Sequence, residues 1–247
     1  MRNIKITLKY DGSKYRGWQR LKDTDMTIQS KIESVISKME NKDIEIIGSG
    51  RTDAGVHAIA QIANFKIDSE KSISQIHEYL YTYLPQDIVV TNIEEVDPRF
   101  HSRYNAVSKT YLYKINNNKM HDPFSRKYST HIPNKLNIDN MKKACEYLIG
   151  EHDFSSFKSS KSKKKSNIKT INYINISENK NFINIKINGN GFLHNMVRII
   201  VGTLIEIGSN KMKPEYINQI LESKDRSLAG PTAYSQGLYL HGVEYKK

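Results

Sequence analysis

One short run concentrates residue types able to do chemistry: Gly48-Ser49-Gly50-Arg51-Thr52-Asp53-Ala54-Gly55-Val56-His57-Ala58. Three glycines within eight residues let the backbone bend tightly and let a ligand come close. Asp53 sits in the bend, with Arg51 two residues before it. A guanidinium nearby favours the ionised carboxylate. An ionised carboxylate in a loop open to a ligand can serve as a nucleophile or a general base. Asp-Ala-Gly is also a good turn sequence, in which Asp bonds its own backbone, and the tripeptide taken alone reads first as a turn. His57 is either an acid–base group or a structural histidine, with the structural role favoured. The glycine spacing fits neither a dinucleotide-binding fingerprint nor a phosphate-binding loop, since no Gly-Lys-Ser/Thr follows.

The elements that must hold this loop follow from hydrophobic period. Asn3–Tyr10 alternates as a strand, with Ile4, Ile6, Leu8 and Tyr10 on one face. Thr27–Glu40 has helical spacing, with Thr27 as a cap. Ile44–Ile47 and Ile59–Ile67 are strands on either side of the loop, Ser72–Leu84 is a helix stopped by Pro85, and Asp87–Val96 is a strand. This order is the β-α-β-β-α-β pattern of a split βαβ unit. The pattern then recurs. Val107–Ile115 is a strand, Asn137–Ile149 a helix ended by Gly150, and Ile168–Ser177 with Phe182–Ile187 a strand pair. Leu193–Ile207 is a helix apolar on most sides and hence buried, Pro214–Ser223 adds a short helix, and Leu238–Tyr245 closes the set as a strand. The expected fold class is α+β, with an N-terminal half over residues 1–100 and a C-terminal half over 101–247. No sequence repeat accompanies the duplicated element order.

The 247 residues suffice for a real core without staples. The one cysteine, Cys145, excludes an intrachain disulfide or a cysteine-cluster metal site, and reads as a core thiol among Met141, Ala144 and Leu148. No apolar run approaches the ~20 residues of a membrane span, and the N-terminus lacks a signal-peptide pattern; a soluble, cytoplasmic protein is expected. A formal charge of +12 attracts polyanions, nucleic acid first. Lysine-rich coding of the whole surface would give the same balance. Lys158–Lys169 holds six lysines and no acidic residue, and reads either as a solvated loop or as an RNA contact.

Six segments in order resemble one known family. Gly50–Ala58 is similar to the signature of tRNA pseudouridine synthases of the TruA type. Tyr10–Arg20 resembles the family's opening segment, and Phe100–Tyr104 followed by Lys109–Tyr113 its central one. Gly150–Phe157, His194–Gly202 and Gly237–Leu240 continue the match to the C-terminus. The resemblance implies isomerisation of uridine to pseudouridine at positions 38–40 of the tRNA anticodon stem-loop, with no cofactor and no metal. It implies two ferredoxin-like halves forming a central antiparallel sheet flanked by helices, with a cleft between the halves, and a homodimer. It gives Asp53 as the catalytic aspartate, Tyr111 as the tyrosine stacking on the target uracil, Arg51 as an arginine linked to base displacement, and Arg198 as the partner of the catalytic carboxylate.

Without the resemblance, Tyr111 reads as a half-buried strand tyrosine and Arg198 as an arginine whose stem flanks the core. Arg103, Lys109 and the lysines Lys161, Lys163, Lys164 and Lys165 are expected phosphate contacts. That lysine cluster is more basic than the family pattern. The competing expectations are a non-catalytic RNA-binding module, and a pseudouridine synthase acting on another RNA.

Overall fold

The structure, a computed structural model, describes residues 1–159, 166–180 and 182–246. The chain divides into two compact units: residues 1–107 with 239–247, and residues 108–238.

The first unit contains β1 (Arg2–Tyr10), α1 (Ile28–Glu40), β2 (Ile46–Gly48), β3 (His57–Ile67), α2 (Ile73–Tyr83), β4 (Ile88–Val96) and the final strand β10 (Leu238–Tyr245). Strand β1 pairs antiparallel with β4 on one side and β3 on the other, and β2 adds to the far side of β3. The β-α-β-β-α-β order expected from period is present. Alternation does what the sequence says: Ile4, Ile6 and Leu8 are fully buried and Tyr10 is 3% exposed. Helix α1 covers this core with Ile28, Ile32 and Ile36, all fully buried, and burial of each such side chain contributes roughly 1.5–3 kcal/mol. Thr27 caps α1 by accepting from the Ser30 amide. A reciprocal pair between Ser72 and Gln75 caps α2.

The last strand, expected with the C-terminal half, falls in the first unit: Tyr239 and Leu240 pair parallel with His57 and Ala58 of β3. Order along the chain does not decide which neighbour a terminal strand finds.

The second unit contains β5 (Ala106–Asn116), β6 (Thr130–His131), α3 (Ile138–Glu146), β7 (Gly150–Asp153), β8 (Ile168–Asn179), β9 (Phe182–Gly189), α4 (Met196–Gly208) and α5 (Tyr216–Ser223). Its sheet runs β5-β9-β8-β7, antiparallel throughout, with β6 parallel to β5 at one end. Ile183, Ile185 and Ile187 alternate inward along β9 and are fully buried. Helix α4 is buried along ten of its thirteen residues, as its all-round apolar sequence requires.

Two differences from the sequence reading have physical causes. The third helix ends at Glu146 rather than running on to Ile149, and Gly150, at φ +104°, opens β7. The Gly-Glu-His-Asp sequence of β7 has no apolar alternation; only its pairing with β8 makes it a strand. Cys145 is 4% exposed beside fully buried Met141, Ala144 and Leu148, and burial pushes its thiol up to about 12.

Candidate active site

The Asp53 loop leaves β2 at Gly48 and enters β3 at His57. At its start, the Ser49 amide donates to the Ile62 carbonyl at 2.7 Å, and the Ser49 hydroxyl donates to Gln61 Oε1 at 2.6 Å. Gln61 Nε2 donates in turn to the Gly50 carbonyl at 2.9 Å. At the tip, the Val56 amide donates to the Asp53 carbonyl at 3.1 Å, and Gly55 takes φ +76°. Gly55 thus takes the positive φ that the third residue of a type II turn requires. The turn that Asp-Ala-Gly suggested is therefore real, and its closing bond uses the main-chain oxygen of Asp53. Asp53 itself is half-buried and Arg51 is exposed.

The segment after β1 clamps this turn from the other side. The Tyr10 hydroxyl bonds Thr52 Oγ1 at 2.8 Å in the buried interior. The Trp18 amide donates to the Thr52 carbonyl at 3.0 Å, and the Gly55 amide to the Tyr15 carbonyl at 3.3 Å. Gly12 approaches so closely that a Cβ on it would stand 2.0 Å from the Val56 carbonyl oxygen. The Tyr15 phenol donates to Asp87 Oδ1 at 2.5 Å, which ties the clamp to the start of β4. Burial, then the Asp87 carboxylate, hold that phenol well above the ordinary tyrosine range, so it stays a donor. The carboxylate of Asp53 is thus carried by a backbone bonded on both flanks, which is what catalytic positioning asks of a loop.

His57 has the structural surroundings favoured from sequence. It is 1% exposed, and its ring stacks on Tyr239 at 4.8 Å. Its Nδ1 faces the Gly12 amide at 3.1 Å and Asp11 Oδ1 at 3.2 Å. A bare Nδ1 takes the first contact and a protonated one the second, and either joins the clamp to β3.

Of the other expected site residues, Arg51 and Arg103 lie with Asp53 in the first unit, and both are exposed. Tyr111, Lys109 and Arg198 belong to the second. Tyr111, half-buried on β5 opposite Ile187, meets the Phe192 ring edge-on at 5.2 Å. Phe192 lies in the short segment that leads into α4. That segment ends at Asn195, whose φ of +61° starts the helix. Arg198 is held by the same turn and by the chain after α5: Nη1 donates to Asn195 Oδ1 at 2.9 Å and Nε to the Ala233 carbonyl at 2.8 Å. Below Tyr111 on β5, Tyr113 is fully buried and its hydroxyl is pushed up to about 12 by burial. Lys109 is half-buried opposite Gly189. Lys161, Lys163, Lys164 and Lys165 lie outside the described residues.

Sequence reasoning named the carboxylate but not its supports. Tyr10, Gly12, Tyr15, Trp18 and Gln61 do the positioning, as do Phe192 and Asn195 in the second unit. For Tyr10, Gly12, Tyr15, Trp18 and Asn195 the Tyr10–Arg20 and His194–Gly202 segments carried the signal as resemblance only, because a positioning role needs the contact to be seen; Gln61 and Phe192 lie outside every matched segment. Among the described residues, no group of three or more His, Cys, Asp or Glu is placed to hold a metal ion. No helix among them is long and apolar enough to cross a membrane.

The chain is thus α+β, its strands mostly antiparallel and flanked by helices, with an aspartate turn clamped between two strands. The family model described as tRNA pseudouridine synthase matches residues 6–105 and 144–246, and the chain belongs to that family, whose members are isomerases. It is 56% identical to tRNA pseudouridine synthase A of Bacillus sp. (strain KSM-64), over 99% of this chain and 100% of that one. It is 53% identical to tRNA pseudouridine synthase A 2 of Bacillus cereus (strain ZK / E33L), and 51% identical to tRNA pseudouridine synthase A 1 of Clostridium tetani (strain Massachusetts / E88). Both of these matches have the same coverage as the first.

Proposed function

We propose that this chain isomerises uridine to pseudouridine at positions 38, 39 and 40 in the anticodon stem-loop of tRNA, with ionised Asp53 as its essential nucleophile or base. The observation that carries the reading is the clamped turn: a tRNA pseudouridine synthase sequence places Asp53, the one acidic residue between β2 and β3, on a backbone fixed from both flanks.

The reaction breaks the bond between uracil N1 and ribose C1′, turns the base, and joins C5 to C1′. A stacked base cannot turn, so the nucleotide leaves the helix first, at a cost of a few kcal/mol. Stacking on Tyr111 returns ~1–3 kcal/mol of this. Arg51, exposed beside the turn, enters the vacated space or grips a phosphate. Asp53 then adds to the ring, attacks C1′ or takes the C2′ proton, and each route needs it ionised. Arg198 is its charge partner. Loss of the C5 proton completes the exchange, with Tyr111 as the relay. Arg103, Lys109 and the four clustered lysines hold the RNA backbone. The protein acts in the cytoplasm, as a homodimer.

The test incubates the protein with unmodified tRNA transcript and maps pseudouridine chemically. Product at 38–40 that disappears in Asp53→Asn, with tRNA binding kept, supports the reading. Product elsewhere in the tRNA points to another RNA target. Wild-type turnover in the Asp53→Asn variant overturns the role of the carboxylate.

A further inference from the structure

The loop between β4 and β5 holds an aromatic side chain out in water on a rigid mount. Tyr104 is 76% exposed. Its ring packs on His101, centroids 4.2 Å apart and planes 35° from parallel. The mount is heavily bonded. His101 Nδ1 accepts from the Arg103 amide at 3.1 Å and the Tyr104 amide at 3.3 Å, and the His101 amide donates to Asn105 Oδ1 at 2.7 Å. Ser102 is fully buried; its amide donates to Asn64 Oδ1 at 2.9 Å and its hydroxyl to the Ile47 carbonyl at 2.5 Å.

Two features give this mount a purpose. Ile47 lies in β2, which runs into the Asp53 loop, and five residues of chain separate it from Asp53, a span of at most about 22 Å. Arg103 stands exposed next to Tyr104 and supplies a cation for a phosphate. A rigid aromatic face beside a guanidinium, on the same unit as the reactive carboxylate, is the equipment for holding a single-stranded nucleotide by stacking and charge.

We propose that Tyr104, backed by His101, is a stacking platform for an unpaired base of the RNA substrate, with Arg103 on the adjacent phosphate. The inference rests on RNA being the substrate, as proposed above. It adds a binding residue that takes no part in the bond changes.

The experiment measures the dissociation constant for unmodified tRNA, and turnover at saturating tRNA, for wild type, Tyr104→Ala, Tyr104→Phe and Tyr81→Ala. Tyr81, 74% exposed on α2, controls for loss of any surface tyrosine. Tyr104→Ala weakens binding about five- to fifty-fold with saturated turnover within about twofold of wild type, while Tyr104→Phe and Tyr81→Ala bind as wild type. In a parallel arm, abasic substitutions are scanned through the loop of an anticodon stem-loop oligonucleotide. One of them costs wild type as much as Tyr104→Ala does, and the two losses do not add. Unchanged binding by Tyr104→Ala overturns the platform, as does a Phe variant as weak as the Ala variant. Failure of wild type to make any pseudouridine overturns the underlying function instead, so the two failures are distinguishable.

Discussion

Gly17 presses against Thr52: a Cβ built on Gly17 would lie 2.5 Å from the Thr52 carbonyl oxygen and 3.1 Å from the Asp53 carbonyl carbon. Gly17 also takes φ +95°, where a side chain is strained regardless of space. The main chain of the clamp thus touches the main chain that carries the Asp53 carboxylate. A Gly17→Ala substitution is expected to destabilise the fold by about 1–3 kcal/mol. It should also cut turnover more than tRNA affinity, since the turn must shift. Urea unfolding midpoints with steady-state kinetics read both effects; a variant with wild-type turnover would show that the clamp does not set the position of Asp53.

A chain of buried side-chain amides supports the Tyr104 loop. Asn64 Nδ2 donates to Asn3 Oδ1 at 3.0 Å, and Asn3 Nδ2 donates to the Asp97 and Phe100 carbonyls at 2.9 Å. Asn3 and Asn64 are 1% and 2% exposed, so none of these groups finds water as a substitute. Asn64→Leu strands the Ser102 amide and the Asn3 carbonyl. Each orphan costs about 1–3 kcal/mol, and a clear fall in the urea midpoint is expected. A midpoint equal to wild type would mean that the network relaxes around the loss.

The roles assigned to Tyr111 separate by substitution. Tyr111→Leu is expected to lower turnover about 100-fold or more, a larger loss than the loss of tRNA affinity that goes with the missing stacking face. Tyr111→Phe keeps the stacking face and removes only the hydroxyl, so it isolates the relay. If Tyr111→Leu lowers affinity and leaves turnover intact, the residue is a binding contact alone.

Replacing Lys161, Lys163, Lys164 and Lys165 together by Gln tests the basic cluster. Each phosphate contact contributes roughly 0.7–0.9 to the slope of log affinity against log salt. Loss of four contacts would flatten that slope by about three units, read from binding titrations at several salt concentrations. An unchanged slope would make the cluster a bystander.

The Cys145 thiol, 4% exposed and pushed up to about 12, stays protonated at pH 8. Reactivity follows the thiolate. Alkylation of the folded protein at pH 8 is expected to run at least ~100-fold slower than in urea, followed by mass spectrometry. Fast labelling of the folded chain would show that the third helix opens readily.

The sequence by itself determined most of the local elements and singled out the run around Asp53. Period placed Ile4, Ile6 and Leu8 inward, Thr27 started α1, Pro85 stopped α2, and an all-apolar stretch required α4 to be buried. These are short-range properties, set by a residue and its near neighbours. The glycine-flanked Asp53 stood out for the same reason. Tertiary structure alone decided what holds that aspartate and what flanks it. Nothing local to Tyr10 or Trp18 says that their partner is Thr52, forty-two and thirty-four residues on. Nothing local to Gly150–Asp153 makes it a strand, and nothing local to Leu238–Tyr245 assigns it to the first unit. Hydrogen bonds between segments far apart in the chain carry no periodic trace, because each partner is free to be any donor or acceptor that the fold brings within reach.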